Sequence, residues 1–144
     1  MTVIVWDGKT LAADKLSSQG GMIGITTKIH RINGMLVGGA GESAFISEMI
    51  QWIKDGRDSA KFPASQRDKD DWQPILLIEA DGSACFYDRT PYPVRLEQKH
   101  VTVGSGSEFA RAALYLGKTA REAVEVANAL CTTCGCGVDS LDLA

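Results

Sequence analysis

Three tight-turn dipeptides, each set between two short apolar segments, constrain the fold of this chain more than any other feature. They are Asp7-Gly8, Asn33-Gly34 and Asp81-Gly82. Glycine after Asp or Asn tolerates the positive φ angles of the two-residue turns that join neighbouring antiparallel strands. The sequence therefore predicts three β-hairpins and, with them, sheets whose strands run mainly antiparallel.

The segments beside these turns have the short, apolar and β-branched composition of strands. Residues 3–6 and 10–13 flank the first turn, residues 28–32 and 35–41 the second, and residues 74–79 and 83–87 the third. We predict further strands at 23–25, 101–103 and 138–143, and an irregular crossing at Pro91 and Pro93.

Three other segments have helical periodicity. In residues 42–56 one helical face is apolar and Gly56 is a suitable end. A second helix is predicted from the 104–107 loop to Tyr115, and a third begins at the capping box of Thr119 and Glu122. The side chains that these faces should bury are Phe45, Met49, Trp52 and Ile53 in the first helix and Ala123, Val124, Val126, Ala127 and Leu130 in the third.

The order of elements is strands, one helix, strands, two helices and a final strand, without an internal repeat. Apolar helix faces of this kind must cover sheets. With 144 residues, 44% of them hydrophobic and 23% charged, the chain fits one globular domain over residues 1–144. We predict a layered α+β domain, in which two stacked sheets between helical layers fit the order. The polar stretch 57–72 is too hydrophilic to belong to the core.

The formal net charge of -3 gives no basic surface of the kind that nucleic-acid binding needs. No apolar run reaches the roughly 20 residues that cross a bilayer, and the first residues lack a basic segment followed by an apolar one. We therefore expect a cytoplasmic protein with no nucleic-acid or membrane partner. Its four cysteines are expected to be reduced.

Thr2 follows the initiator Met1 and opens the first predicted strand. Threonine is small enough for methionine aminopeptidases to expose it, and the exposed residue would carry a hydroxyl nucleophile and an amine together. Activation by its own terminal amine is one way to make a threonine hydroxyl reactive. Because Thr after Met is common, the prediction depends on the residues that support Thr2.

Asp14 and Lys28 are the candidate supports. Asp14 follows the second strand of the first hairpin, so a short register places it near the start of the first strand, and Lys28 begins another strand. An ammonium beside the Thr2 hydroxyl, held by a carboxylate, would stabilise the alkoxide and keep the terminal amine neutral. The alternative is a solvated surface pair.

Two glycine-rich segments each allow two interpretations. Residues 38–41 end a strand and open a helix, so their N–H groups suit either an oxyanion or tight packing of the helix on the sheet. Residues 104–107, Gly-Ser-Gly-Ser, have the look of a phosphate loop. The missing lysine and the missing wider glycine spacing argue against nucleotide binding there.

Cys131, Cys134 and Cys136 lie close together near the end of the chain. With His30 or His100 they could form a zinc site, although structural zinc sites usually show paired ligand motifs. Disulfide or redox use is a second alternative. We favour inert thiols in a turn.

Together these motifs resemble the proteasome-type N-terminal-nucleophile hydrolases, a family that includes proteasome β subunits and the bacterial peptidase HslV. The resemblance implies that Thr2 is the nucleophile, with its amine as general base. It implies that Asp14 and Lys28, the latter within Lys-Ile-His-Arg, are the acidic and basic partners. It implies that Gly41, within Val-Gly-Gly-Ala-Gly-Glu-Ser, provides the oxyanion-hole N–H. Ser105, within Val-Gly-Ser-Gly-Ser-Glu-Phe, matches the serine beside the nucleophile's amine.

The resemblance also implies the fold and the partners. The fold would be a four-layer αββα sandwich of two stacked, mainly antiparallel sheets. We expect no cofactor and no metal-binding side chains; in some relatives the turn of residues 131–136 holds a cation through backbone carbonyls, and that alternative stays open here. The substrate would be a peptide or an unfolded protein, the protein would form a homo-oligomer, and an unfoldase ATPase is a candidate partner. The residues that the same matching places around the first substrate pocket are Ser17, Ser18, Thr26, His30, Gly39 and Ser43.

Two of these pocket residues carry further predictions. Gly39 at the base would make the pocket roomy, so bulky side chains should be tolerated, and cleavage only after small residues would contradict this. His30 is expected to be a partly buried histidine in the sheet, with a titrating group as the alternative.

The C-terminal segment departs from the family pattern of an Asp followed three residues later by a Ser. The Asp position falls on Ala129 or Cys131, and Thr132 or Cys134 takes the Ser position. Residues 57–72 are also shorter than the long second helix of relatives, which argues against an ATPase docking face. A non-catalytic assembly protein of the same fold is the rival prediction, and a thiol-based metal module, recognised by stoichiometric zinc, is the third.

Overall fold

The computed structural model describes residues 2–63 and 74–144. Over these residues it is a mixed α/β protein of antiparallel sheets with three α-helices. In chain order the strands are β1 (Ile4–Trp6), β2 (Thr10–Asp14), β3 (Leu16–Gln19), β4 (Met22–Ile25), β5 (Ile29–Ile32), β6 (Met35–Gly39), β7 (Ile75–Ile78), β8 (Ala84–Tyr87), β9 (Val94–Leu96), β10 (Val101–Val103) and β11 (Val138–Asp142). The helices are α1 (Ser43–Lys54), α2 (Ser107–Tyr115) and α3 (Ala120–Leu130).

The first predicted hairpin is confirmed as β1 and β2, which lie at the centre of a four-stranded sheet. Its strand order is β10-β1-β2-β11, and Ile4 pairs with Ala13 across the hairpin. On the other side Ile4 pairs with Val103 of β10. The start of β1 is therefore flanked by the end of β2 and the end of β10.

The second and third predicted hairpins are also confirmed, and both belong to a five-stranded sheet of order β5-β6-β7-β8-β9. The irregular crossing predicted at Pro91 and Pro93 is confirmed, since residues 91–93 belong to no helix or strand. The sequence did not predict β9, which begins at Val94 and pairs with β8. β9 is an edge strand, and prolines are tolerated beside such strands.

β3 and β4 form a separate two-stranded sheet. The sequence did not predict β3, because its polar residues Ser17, Ser18 and Gln19 lack the apolar pattern of a half-buried strand. β4 exposes its larger side chains: Met22, Ile23 and Ile25 are 65–74% exposed. This hairpin therefore projects from the body of the protein.

Three apolar clusters hold the elements together. In one, α1 packs on the five-stranded sheet, with Phe45, Met49, Trp52 and Ile53 buried as predicted. In the second, α2 and α3 pack on the four-stranded sheet through alanines, Val124 and Leu114. The third consists of side chains from both sheets, among them Ile4, Trp6, Leu36 and Leu76.

Two burial predictions are wrong. Leu130 is 61% exposed, because α3 ends there and the residue lies beyond the sheet-facing stripe. Phe62, in the stretch predicted as too hydrophilic for the core, is buried against Trp52, with ring centroids 5.0 Å apart. The rest of that stretch, from residue 64, lies outside the described residues.

The predicted capping box at the start of α3 is present. The Thr119 hydroxyl accepts the Glu122 N–H, and the Glu122 carboxylate accepts the Thr119 N–H. Among the described residues, no helix combines the length and the apolar character that crossing a membrane requires.

Candidate active site

Thr2 is buried directly before β1, and a tight loop after β10 encloses its main chain. Its carbonyl accepts the Gly106 N–H at 3.1 Å, and its own N–H donates to Ser105 Oγ at 3.1 Å. Gly104 makes this contact sterically feasible, since a Cβ there would lie 2.2 Å from the Thr2 carbonyl oxygen. The 104–107 loop therefore binds the chain's own backbone, which leaves no support for nucleotide binding there.

Asp14, at the end of β2, is fully buried and its carboxylate accepts four hydrogen bonds. Oδ1 accepts the Val3 N–H at 3.1 Å and Lys28 Nζ at 2.8 Å. Oδ2 accepts the Gly135 N–H at 3.1 Å and, more weakly, the Leu16 N–H at 3.4 Å. Each of these groups is a donor, so the site is built for a charged acceptor.

Lys28 directly precedes β5 and is only 8% exposed. The alternative of a solvated surface pair with Asp14 is therefore wrong. A buried ion pair contributes little net stability, because desolvating both charges offsets most of their attraction.

The Asp14 contacts and the Ser105 contacts meet at the first residues of the chain. Val3 N–H binds Asp14, and the nitrogen of the preceding Thr2 binds Ser105. We call Thr2, Asp14, Lys28 and Ser105 the Thr2 cluster. In the intact chain the Thr2 nitrogen is a peptide N–H, and removal of Met1 would convert it into the amine.

Three predicted residues lie on the other side of the Asp14–Lys28 pair. Ile29 pairs with Gly38, so the register places Lys28 opposite Gly39 at one end of the sheet. Gly41 and Ser43 follow Gly39, and both are exposed where β6 leads into α1. No contact joins either of them to Thr2 within the described part of the chain.

The space beside Gly39 is filled rather than open. A Cβ there would lie 2.8 Å from Ile75 Cδ1 and 2.9 Å from Ile46 Cγ1. Glycine at this position lets α1 approach the sheet, so a roomy pocket does not follow from it.

The remaining pocket candidates lie on or beside the projecting hairpin and β5. Thr26 donates its N–H to the Lys15 carbonyl at 2.9 Å, next to Asp14, while Ser17 and Ser18 lie farther along β3. His30 is half-buried on β5. Burial, and then the positive charge of Lys54, lowers the pKa of His30, so its imidazole is neutral at pH 7.

The turn after α3 supplies contacts that the sequence reasoning missed. Thr133 Oγ1 lies 2.9 Å from Ser105 Oγ and 3.2 Å from Cys131 Sγ. The hydroxyl beside Ser105 is thus that of Thr133, whereas the family pattern placed the Ser position at Thr132 or Cys134. The spacing failed because a turn, unlike a helix, does not fix which side chain points inward.

All four cysteines are free thiols, and Cys134 is buried beneath Gly106. Within residues 2–63 and 74–144, no group of three or more metal-binding side chains could hold an ion. The zinc alternative therefore has no geometric support in the described structure.

With this geometry established, known structures provide a comparison. No protein-family profile and no curated protein sequence matches the chain. Thiobacillus denitrificans BPH is similar over 100% of this chain and 99% of its own, at 18% identity and a TM-score of 0.71. The same protein in complex with epoxomicin gives a TM-score of 0.73 at 18% identity, covering 100% of both chains. Eukaryotic HslV from Trypanosoma brucei gives 0.71 at 19% identity, covering 98% of this chain and 97% of its own.

The fold is of the proteasome type. At this level of identity the proteasome-type likeness defines the architecture alone. The activity has to be argued from the Thr2 cluster itself.

Proposed function

We propose that this protein is a threonine-type peptidase or amidase whose nucleophile is Thr2, exposed by removal of Met1. One observation carries the proposal: Val3 N–H and the Lys28 ammonium bind the same oxygen of buried Asp14. That arrangement fixes a positive charge next to the residue that would become the N-terminus. A positive charge at that position would stabilise the alkoxide form of the Thr2 hydroxyl, which is the form that attacks a carbonyl.

The proposed reaction begins with attack of Thr2 Oγ on an amide carbonyl, while the hydroxyl proton passes to the Thr2 amine. An unperturbed α-amine titrates near roughly 7.7–8.0. The neighbouring Lys28 charge favours its neutral, basic form. The leaving amine takes up the proton, and water then hydrolyses the Thr2 ester and regenerates the hydroxyl.

In this proposal Gly41 N–H stabilises the tetrahedral oxyanion and Ser105 orients the amine. Gly41 lies in the turn between β6 and α1, two residues before the helix whose first N–H groups lack helical partners, and this location supports its role. Thr26, Ser17, Ser18, His30, Gly39 and Ser43 would contact the substrate side chain. Their position around the base of the β3–β4 hairpin and the end of β6 supports this assignment.

The proposal extends to architecture and partners. The three apolar clusters support a four-layer αββα sandwich, and the exposed apolar side chains of β4 support self-association as a homo-oligomer. The substrate would be a peptide or an unfolded protein. An unfoldase ATPase is a candidate partner that would deliver the unfolded protein. Four free thiols are in keeping with the cytoplasm.

Covalent labelling tests the nucleophile directly. Epoxomicin, with which the Thiobacillus protein was solved in complex, is the labelling probe. Untagged wild-type protein that has lost Met1 should gain the mass of one inhibitor, and Thr2→Ser should react as well. Thr2→Ala should gain none, and labelling of Thr2→Ala at the wild-type rate would end the proposal.

The rival function is a non-catalytic assembly protein of the same fold. The neighbours of Ser105 favour it. They are the Thr133 hydroxyl and, next to Thr133, the Cys131 thiol, whereas the family pattern has a carboxylate in this segment. Intact mass separates the two: a protein from which Met1 is removed and which then labels is an enzyme. A protein that keeps Met1 and stays unlabelled while it oligomerises is the assembly protein.

A further inference from the structure

A chain of three hydrogen bonds leads from the Thr2 nitrogen to the sulfur of Cys131. Thr2 N lies 3.1 Å from Ser105 Oγ, and Ser105 Oγ lies 2.9 Å from Thr133 Oγ1. Thr133 Oγ1 in turn lies 3.2 Å from Cys131 Sγ. The reaction proposed above uses neither Thr133 nor Cys131.

The direction in which the protons point along this chain matters for the Thr2 amine. A hydroxyl donates one proton and accepts through its lone pairs. Ser105 helps the amine to act as a base only when its oxygen accepts from that nitrogen. A proton donated by Ser105 would instead occupy the lone pair that the base needs.

The proton of Ser105 must therefore point away from the nitrogen. The Thr2 carbonyl is 3.3 Å away and already accepts the Gly106 N–H at 3.1 Å. Thr133 Oγ1, at 2.9 Å, is the better acceptor. Once Thr133 accepts from Ser105, its own proton is directed to Cys131.

The surroundings of Cys131 favour a sulfur that only accepts. Hydrogen bonds from the Thr133 hydroxyl, which has the largest effect, and from the Thr133 backbone and Cys134 lower the pKa of Cys131. Burial raises the pKa of Cys134 to about 12, so Cys134 stays protonated and can donate. The Asp14–Lys28 ion pair contacts the same turn through the Gly135 N–H.

We propose that Cys131 is a positioning residue for Thr2: its sulfur accepts from Thr133 and thereby orients Thr133 and Ser105 so that Ser105 accepts from the Thr2 amine. This inference rests on the proposed peptidase function. A protonated Cys131 could donate to Thr133, and the chain would then reverse and place a proton on the amine's lone pair. In this proposal the Cys131 sulfur takes the role of a carboxylate as the acceptor next to Thr133.

Three variants test the role in labelling by epoxomicin over a range of pH. Cys131→Ala removes the acceptor and should slow labelling about tenfold, the usual effect of losing one hydrogen bond to a charged group. Cys131→Asp restores an acceptor and should label near the wild-type rate. Its advantage over wild type should grow as pH falls, because a carboxylate stays ionised where a thiolate does not. Cys136→Ser, at an exposed position in the same turn, is the control and should behave as wild type.

A second measurement does not depend on catalysis. The ultraviolet absorbance of the thiolate, taken as the difference between wild type and Cys131→Ala, reports the ionisation of Cys131. Thr133→Val should move that ionisation to higher pH, and Thr132→Val, at the exposed neighbouring position, should not.

The outcomes separate the two proposals. If Cys131→Ala labels like Cys136→Ser, or if Thr133→Val leaves the ionisation unmoved, Cys131 does not position Thr2. If wild-type protein lacking Met1 is never labelled, the peptidase function fails. The titration then still decides whether the hydrogen-bond chain exists.

Discussion

The two sides of the Thr2 cluster hold the start of β1 by different chemistry. On the carboxylate side, Asp14 and Lys28 are buried and form an ion pair, and backbone donors fix the position of the Asp14 carboxylate. On the hydroxyl side, Ser105 is exposed, and it and Thr133 are rotatable groups without charge. The first side can supply a permanent field, whereas the second can change the direction of its hydrogen bonds.

The carboxylate side and the hydroxyl side have separate roles in the proposed reaction. In that reaction the Lys28 ammonium would favour the alkoxide and the neutral amine. The hydroxyl side aligns the amine and depends on the ionisation of Cys131. Substitutions on the carboxylate side should therefore be severe, and those on the hydroxyl side moderate and dependent on pH.

Neutralising the carboxylate side should have the largest effect. Asp14→Asn sets an amide NH2 among groups that are all donors, and Lys28→Met leaves the Asp14 carboxylate buried without its ammonium. Removing one partner of a buried pair costs about 3–5 kcal/mol of folding free energy. We expect that loss in chemical denaturation of both variants, and no detectable epoxomicin labelling.

A natural control for this pair is Lys15→Met. Lys15 pairs with Asp139 at 2.6 Å, but both side chains are partly exposed. Its loss should change the free energy of unfolding by less than about 1 kcal/mol. Equal losses for Lys15→Met and Lys28→Met would remove the distinction on which the comparison depends.

Two glycines offer a steric test of the same comparison. Gly104→Ala on the hydroxyl side should cost more than about 3 kcal/mol of stability, because the residue has a φ of +100° and its Cβ would meet the Thr2 carbonyl. Gly135→Ala on the carboxylate side meets nothing within 4 Å and should be nearly neutral. Thermal unfolding measures both, and a Gly135→Ala protein as unstable as Gly104→Ala would show that the turn is packed more tightly than described.

Ser105→Ala should have the smallest effect on folding and a moderate one on reaction. The residue is exposed, so the free energy of unfolding should change by less than about 1 kcal/mol. Loss of the contact to the Thr2 nitrogen should slow labelling by about tenfold to a hundredfold. Ser107→Ala, in the same loop, serves as the matched variant. A Ser105→Ala protein that labels at the Ser107→Ala rate would show that the amine needs no partner there.

Much of the sheet architecture could be predicted because it is encoded locally. Asp-Gly and Asn-Gly turns fix hairpin register within a few residues, and the short register of the first hairpin brings Asp14 beside Val3. The capping box at Thr119 is equally local. These features depend on neighbours in sequence, so they can be predicted from one sequence without knowledge of the fold.

The features that escaped prediction depend on distant partners. β3 is polar and β9 follows two prolines, so only their strand neighbours make them strands. Phe62 lies in a polar segment and is buried because Trp52 and the sheet provide a surface for it. Thr133 reaches Ser105 through the shape of a turn that no periodicity describes.

The turn that carries Thr133 and Gly135 has one more consequence. Its contact from Gly135 to Asp14 joins residues separated by 121 positions along the chain. Contacts this far apart form late, after the intervening chain has collapsed. A growing polypeptide that has not yet reached residue 135 lacks one of the backbone donors to Asp14, so the surroundings of Thr2 are complete only after that turn has been synthesised.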